Sequence, residues 1–283
     1  MKLIRFGKKE HEKPGVLIDG VRKDCSGLFE DWNHKFFSDD GLSTLEAALE
    51  NKSVHLPTVA ESERWAPCVA RPGTILCIGL NYEDHAKEAK MELPSEPLVF
   101  GKASNTIHGP YDAVTLPKAA SKVDYEIELA VVLKKDVYEL KSEKEAEAAI
   151  AGYCAANDLS ERVFQLEKGG QWIKGKSSPG FCPLGPYLQT TEEGFAIDDL
   201  SMKLQVNGES RQNGSSTTMV FKPAYTIFYL SQFMQLEAGD IILTGTPPGV
   251  AMGMNPPAYL KSGDVVELWI EGLGHQRTQF QSN

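Results

Sequence analysis

The chain has few cysteines and no pattern among them. Its five thiols are odd in number, widely scattered and without a C-x-x-C pair, which excludes a disulfide framework or a cysteine zinc site and leaves buried free thiols as the expectation. Apolar runs are short, and none approaches the ~20 residues that cross a bilayer as a helix. The opening stretch MKLIRFGKKEHEKPG lacks the apolar centre of a secretory signal, so the expected location is the cytoplasm. Basic residues are the minority, 29 Lys and Arg against 39 Asp and Glu, and they form no cluster; a surface that tracks nucleic-acid phosphates is excluded. Neither G-x-G-x-x-G nor G-x-x-x-x-G-K-[ST] occurs, so no dinucleotide or P-loop site is expected. Internal repeats and low-complexity tracts are absent as well.

What remains is an ordinary globular composition in 283 residues, long enough for one large domain or two modest ones. Residues 1–70 read as a small N-terminal α+β domain: strands at KLIRFG and GVLID, then a helix at GLSTLEAALENK. The Pro- and Gly-bearing WAPCVARPGT reads as a linker. Residues 71–283 read as a mainly β domain. TILCIGL is a strand, and NYEDHAKEAKM is a short helix with Asn81 as N-cap and Asp84 at the third helical position. LKSEKEAEAAI is a solvated helix and AGYCAAND a buried segment. Asn207-Gly208 is a hairpin turn, and AYTIFYLSQFMQ is a long amphipathic helix. The fold class is α+β, mainly β.

Alternation in KVDYEIELAVVL puts Asp124, Glu126 and Glu128 on one face and Tyr125, Ile127 and Leu129 on the other. A solvent-facing polar strand surface would show the same pattern. Asp158, however, comes one residue after the apolar AIAGYCAA, where an unpaired carboxylate is costly; capping a helix at LSERVFQ is its plainer role. Three carboxylates delivered by strand ends form an all-oxygen site suited to Mg²⁺ or Mn²⁺. His85 and Glu88, three apart on the short helix, can reach each other, as an oriented general base requires, although an exposed pair of this spacing is commonly just solvated. Arg162, Gln165, Lys174 and Lys176 surround a Gly-rich loop, where cations would attract an anionic substrate. Thr246 sits in the turn of LTGTPPGV, with a hydroxyl and nearby N–H groups able to hold a carboxylate.

Taken together, IGLNYEDHAKE, VFGKAS, DYEIELAVV, AGYCAANDLSERVFQ, KGKS, CPLGP, VNGE and LTGTPPGV resemble the fumarylacetoacetate hydrolase (FAH) family from about residue 71 onward. FQLEKGGQWIKGKS and the N-terminal region are similar to bacterial enzymes that hydrolyse 2,4-diketo-3-deoxy sugar acids (rhamnonate or fuconate). The resemblance implies an FAH-type mixed β-roll with an added N-terminal domain, commonly a homodimer. It implies a divalent metal, usually Mg²⁺, on Glu126, Glu128 and Asp158, and a water-activating dyad, His85 and Glu88, on a segment that orders over substrate. Lys176 becomes a stabiliser of developing charge, and Arg162, Gln165 and Thr246 become substrate contacts.

The implied reaction is hydrolysis of the C3–C4 bond of a small anionic 2,4-diketo acid to pyruvate and a hydroxy acid. Oxaloacetate decarboxylation or 2-hydroxydienoate isomerisation would use the same metal-stabilised enolate. An impaired homologue that only binds an oxyacid is the reading from another class. It draws on one departure: where the family continues KGKS towards Asp-Thr, this chain has Ser178-Pro179-Gly180, so Lys176 lacks the acidic partner expected beside it.

Overall fold

The computed structural model describes residues 1–51, 53–88, 92–191 and 194–283. Two sheets dominate it. The larger has nine strands, and its middle is built from the most apolar segments of the sequence. Ile127–Leu133 (IELAVVL) and Ile150–Asn157 (IAGYCAAN) pair antiparallel, every residue of both being buried. A strand buried on both faces needs apolar side chains in both registers, which explains why IELAVVL is continuous and not alternating after its glutamate. Ile241–Leu243 lies on the other side of Ile127–Leu133, antiparallel to it and parallel to Ile75–Gly79, and Leu98–Lys102 closes that edge.

At the opposite edge the sheet continues through Leu188–Thr190 into the N-terminal strands Lys2–Phe6, Lys13–Ile18 and Val21–Asp24. The N-terminal residues are therefore part of the same hydrogen-bonded layer as the central strands. The proline-bearing segment after them is packed in place: Ala66, Cys68 and Val69 are buried, and the N–H groups of Ala66 and Ala70 donate to the carbonyls of Arg5 and Trp32.

Each face of the large sheet covers a core. Ala130 and Val132 face a cluster with Trp32, Phe36 and Phe37, closed by the helix Gly41–Glu50. Leu129, Val131 and Leu133 face the second sheet, whose inward residues include Met202, Leu204, Val266 and Leu268. That sheet has five strands and holds the hairpin Ser201–Val206 to Glu209–Ser215, with Asn207 and Gly208 both at positive φ, as a two-residue type I′ turn requires.

Two helical expectations shorten. The charged segment gives only Glu143–Glu147, capped by Ser142, before the chain enters a buried strand. AYTIFYLSQFMQ is helical only within Pro223–Ser231, with proline at the first turn where its missing N–H costs nothing. All five cysteines are free and buried. No described helix is long and apolar enough to cross a membrane.

Candidate functional site

The antiparallel register between the two central strands builds the site. Glu128 pairs with Ala156, Ile127 with Asn157, and one residue beyond the strand end the Asp158 N–H donates to the Glu126 carbonyl at 2.8 Å. Glu126, Glu128 and Asp158 thereby bring one carboxylate oxygen each within 4.8 Å of one another, all three buried. A solvent-facing polar strand surface is ruled out by that burial.

Cations surround the group. Lys176 Nζ bridges Glu126 Oε2 at 2.5 Å and Asp158 Oδ2 at 2.6 Å, and Lys102 Nζ donates to Asp158 Oδ1 at 2.6 Å. Arg162 reaches Glu126 Oε1 at 2.6 Å and, through Nε, Asp124 Oδ2 at 2.9 Å. In formal charge, Asp124, Glu126, Glu128 and Asp158 meet Lys102, Arg162 and Lys176, which leaves one carboxyl over. The leftover carboxyl is Glu128, which accepts a hydrogen bond from the Gly245 N–H at 2.7 Å. Burial, with the charges of Asp158 and Glu126 adding to it, pushes the Glu128 carboxyl well above its ordinary range. Burial would raise Glu126 too, but Arg162 and Lys176 hold it below the usual carboxylate range.

The donor set fits a divalent cation. It is all oxygen and buried, it is one positive charge short of balance, and each carboxylate oxygen engaged by a cation keeps a second lone pair.

Glu126, Glu128, Arg162 and Lys176 line a cavity of about 470 Å³ together with His85, Glu88, Gln165 and Thr246, and its other walls include Ile78, Leu80, Phe100 and Trp172. His85 Nδ1 lies 3.2 Å from Glu88 Oε2 on the six-residue helix Glu83–Glu88. With Nδ1–H donated to Glu88, Nε2 is left as an acceptor. The Glu88 carboxylate in turn accepts the Gly249 N–H at 3.0 and 3.1 Å.

Several expected side chains do other work. Asn81 does not cap the short helix. Its amide donates to the Phe221 and Thr244 carbonyls and accepts the Phe221 N–H, tying that loop to the strand ends. Nor does Asp158 cap the next helix, because its oxygens are engaged by lysines; Glu161 accepts the Phe164 N–H instead. The Thr246 hydroxyl donates to the Ile127 carbonyl and accepts from Gln212, so it braces the carboxylate strand. Gln165 accepts from Arg162 through Oε1 and faces the cavity. Lys174 is exposed, its ammonium turned to the Lys168 carbonyl.

The missing acid after Lys176 does not leave that lysine unoriented, since Glu126 and Asp158 hold it. Ser178–Phe181 is a turn closed by Phe181 N–H to Ser178 O at 3.0 Å, with Gly180 at φ +80. Pro179 at its second position and glycine at its third are the residues a type II turn selects.

Two members were not anticipated as site residues. Lys102 falls within VFGKAS, one of the stretches that carry the family resemblance, but only the fold shows its side chain to be fully buried. Asp124 shares the alternation of the two glutamates but faces Arg162.

The geometry agrees with what the chain resembles. The family described as "Fumarylacetoacetate (FAA) hydrolase C-terminal" matches residues 74–281. A Burkholderia multivorans protein named "Putative hydrolase" is 48% identical over 281 residues, spanning 98% of this chain and 97% of that protein. Among solved structures, a "probable 2-hydroxyhepta-2,4-diene-1,7-dioate isomerase" from Mycobacterium abscessus has a TM-score of 0.84 at 33% identity, covering 100% of this chain and 99% of that one. Maleylpyruvate hydrolase from Sphingobium sp. SYK-6, in complex with manganese(II) and pyruvate, has a TM-score of 0.81 at 26% identity over 100% of both chains. With a family match over residues 74–281, the span that supplies the central strands and the cavity's polar residues, the chain belongs to the fumarylacetoacetate hydrolase family.

Proposed function

We propose that this chain is a metal-dependent enzyme that hydrolyses the C3–C4 bond of a 2,4-diketo acid, releasing pyruvate and a second carboxylic acid, with 2,4-diketo-3-deoxy sugar acids as the substrates to test first. Glu126, Glu128 and Asp158 would hold Mg²⁺ or Mn²⁺; the maleylpyruvate hydrolase neighbour, with manganese(II) and pyruvate bound, supports both the cation and the product class. When bound, the cation supplies electrostatic stabilisation of the negative charge that develops on the substrate's C2 oxygen. Lys176, fixed between two carboxylates, adds a positive charge on the same side.

The observation that carries the hydrolytic reading is the His85–Glu88 pair opening onto the cavity that the carboxylates line. His85 Nε2 is free to take a proton from water as the water attacks C4, and Glu88 holds the imidazole in the required tautomer. Decarboxylating oxaloacetate or shifting a double bond needs no activated water. Gln165 and Arg162 would meet the oxyacid end, and Thr246 would act through the strand it braces. The isomerase named among the neighbours makes 2-hydroxydienoate isomerisation the second reading.

The deciding experiment follows pyruvate release from synthetic 2,4-diketo acids in ¹⁸O-water, with Mg²⁺, Mn²⁺ or chelator, beside oxaloacetate and a 2-hydroxydienoate. Metal-dependent release with ¹⁸O in the second acid is the expected result. Carbon dioxide from oxaloacetate alone, or isomerisation without ¹⁸O uptake, would replace the hydrolase reading with the corresponding alternative.

A further inference from the structure

The dyad sits on the helix Glu83–Glu88, where the Ala86 N–H donates to the Tyr82 carbonyl at 3.0 Å. What fixes Glu88 comes from a distant part of the chain. Gly249 donates its N–H to both Glu88 oxygens. At Gly253 an added Cβ would lie 2.9 Å from Glu88 Cδ and 3.1 Å from Oε2, its three nearest neighbours all being Glu88 atoms.

The two glycines are there for different reasons. Gly249 has φ +105 and a Cβ would strike the Arg211 carbonyl, so its backbone requires glycine. Gly253 has no such backbone requirement; the space a side chain would take is filled by the Glu88 carboxyl. Between them, the segment is anchored to the carboxylate cluster. Asp124 accepts the Ala251 N–H at 2.7 Å and the Met252 N–H at 3.1 Å, and it also holds Arg162, which grips Glu126.

We propose that residues 249–253 form a strap that positions Glu88, and through it His85, against the metal-binding carboxylates, with Gly253 as the positioning residue and Asp124 as the anchor. Its catalytic meaning rests on the water-activation reading above; its geometry does not. A side chain at 253 displaces the flexible end of Glu88 and no backbone, so Gly253→Ala folds normally and loosens only the dyad.

The test compares the full-length wild type, Gly253→Ala and Glu88→Ala by residue-resolved amide exchange, with Glu88→Ala setting the scale for full loss. In Gly253→Ala the Gly249 amide loses its protection while Ala251 and Met252 keep theirs, and Mn²⁺-induced thermal stabilisation is unchanged. With a turned-over diketo acid, kcat falls on the order of 10²-fold, the scale of a lost general base, and KM stays near wild type. Shortening the acid in the double variant Gly253→Ala/Glu88→Asp recovers part of that loss, a coupling that mere packing would not produce. Unchanged Gly249 protection in Gly253→Ala, or strictly additive losses in the double variant, overturns the proposal. A wild type that turns over no diketo acid overturns the proposed reaction instead, and the exchange experiment still decides the strap.

Discussion

The two halves of the cavity are held by opposite means. The carboxylate side is carried by long strands in the middle of a nine-stranded sheet, with Asp158 and Lys102 side chains at 0% exposure and Glu126 at 8%. On the opposite side are the helix Glu83–Glu88 and side chains at 12% exposure for His85 and 23% for Glu88. Strand register fixes the first to the fold. The second is tied to residues 249–253 through the single Gly249 N–H and can shift at small cost. One side is thus fixed in advance with its charges paired, while the other is free to adjust. Damage to each should read out differently.

The largest separation is expected between Glu126→Ala and His85→Ala. Removing Glu126 leaves Arg162 and Lys176 buried with partners lost, and breaking a buried pair in this way costs about 3–5 kcal/mol. Thermal unfolding of Glu126→Ala should drop sharply, and its response to Mn²⁺ should vanish. His85→Ala should lose ~10²–10⁴ of turnover while keeping both its unfolding temperature and its Mn²⁺ response. Equal unfolding temperatures for the two variants would remove the distinction between the two sides.

A pH series sharpens it. The folded protein holds the Glu128 carboxyl above its unfolded range. The metal-free fold therefore binds this proton more tightly than the unfolded chain does, and the stability from it is present at low pH and is lost as pH rises above the unfolded carboxylate range. A cation must displace the same proton, so stabilisation by Mg²⁺ or Mn²⁺ should grow with rising pH across that window. Calorimetry with and without metal checks the sign. Glu128→Gln should flatten both slopes and abolish the metal response, while a metal response that weakens with pH would show that Glu128 is not a ligand.

Legibility in the sequence follows the same division. The three carboxylates could be read because strand alternation and a strand end are local patterns, and because buried acids demand a reason. Individual strands such as KLIRFG, GVLID and TILCIGL were visible as short apolar runs, and the hairpin as Asn-Gly. Lys102 could not be read: a lysine closing PLVFGK looks like a strand end in solvent, and its burial against Asp158 comes from contacts 56 residues apart. The bracing roles of Thr246 and Asn81 were hidden for a related reason. A hydroxyl in a turn and an amide before a helix have common local uses, and here longer-range partners, the Ile127 carbonyl and the Phe221 and Thr244 backbone, outcompete them. The helix at Pro223–Ser231 was over-extended because apolar spacing continues past the point where the chain turns away.

The smallest effect is expected at Pro179, close in sequence to Lys176 but apart from it in the fold. Pro179 lies three residues from Lys176, yet it lines a separate, more open cleft with Arg64 and His108 and not the carboxylate cavity. In Pro179→Asp the turn loses a residue whose φ is fixed in advance, which lowers stability by about 0.4–1 kcal/mol through the unfolded chain. Turnover should stay within about twofold, the span of an ordinary surface change, because Lys176 already has two carboxylates within 2.6 Å. A tenfold gain in turnover would mean that those carboxylates do not suffice to orient the lysine, and that the rigid side of the cavity is less complete than its ion pairs imply.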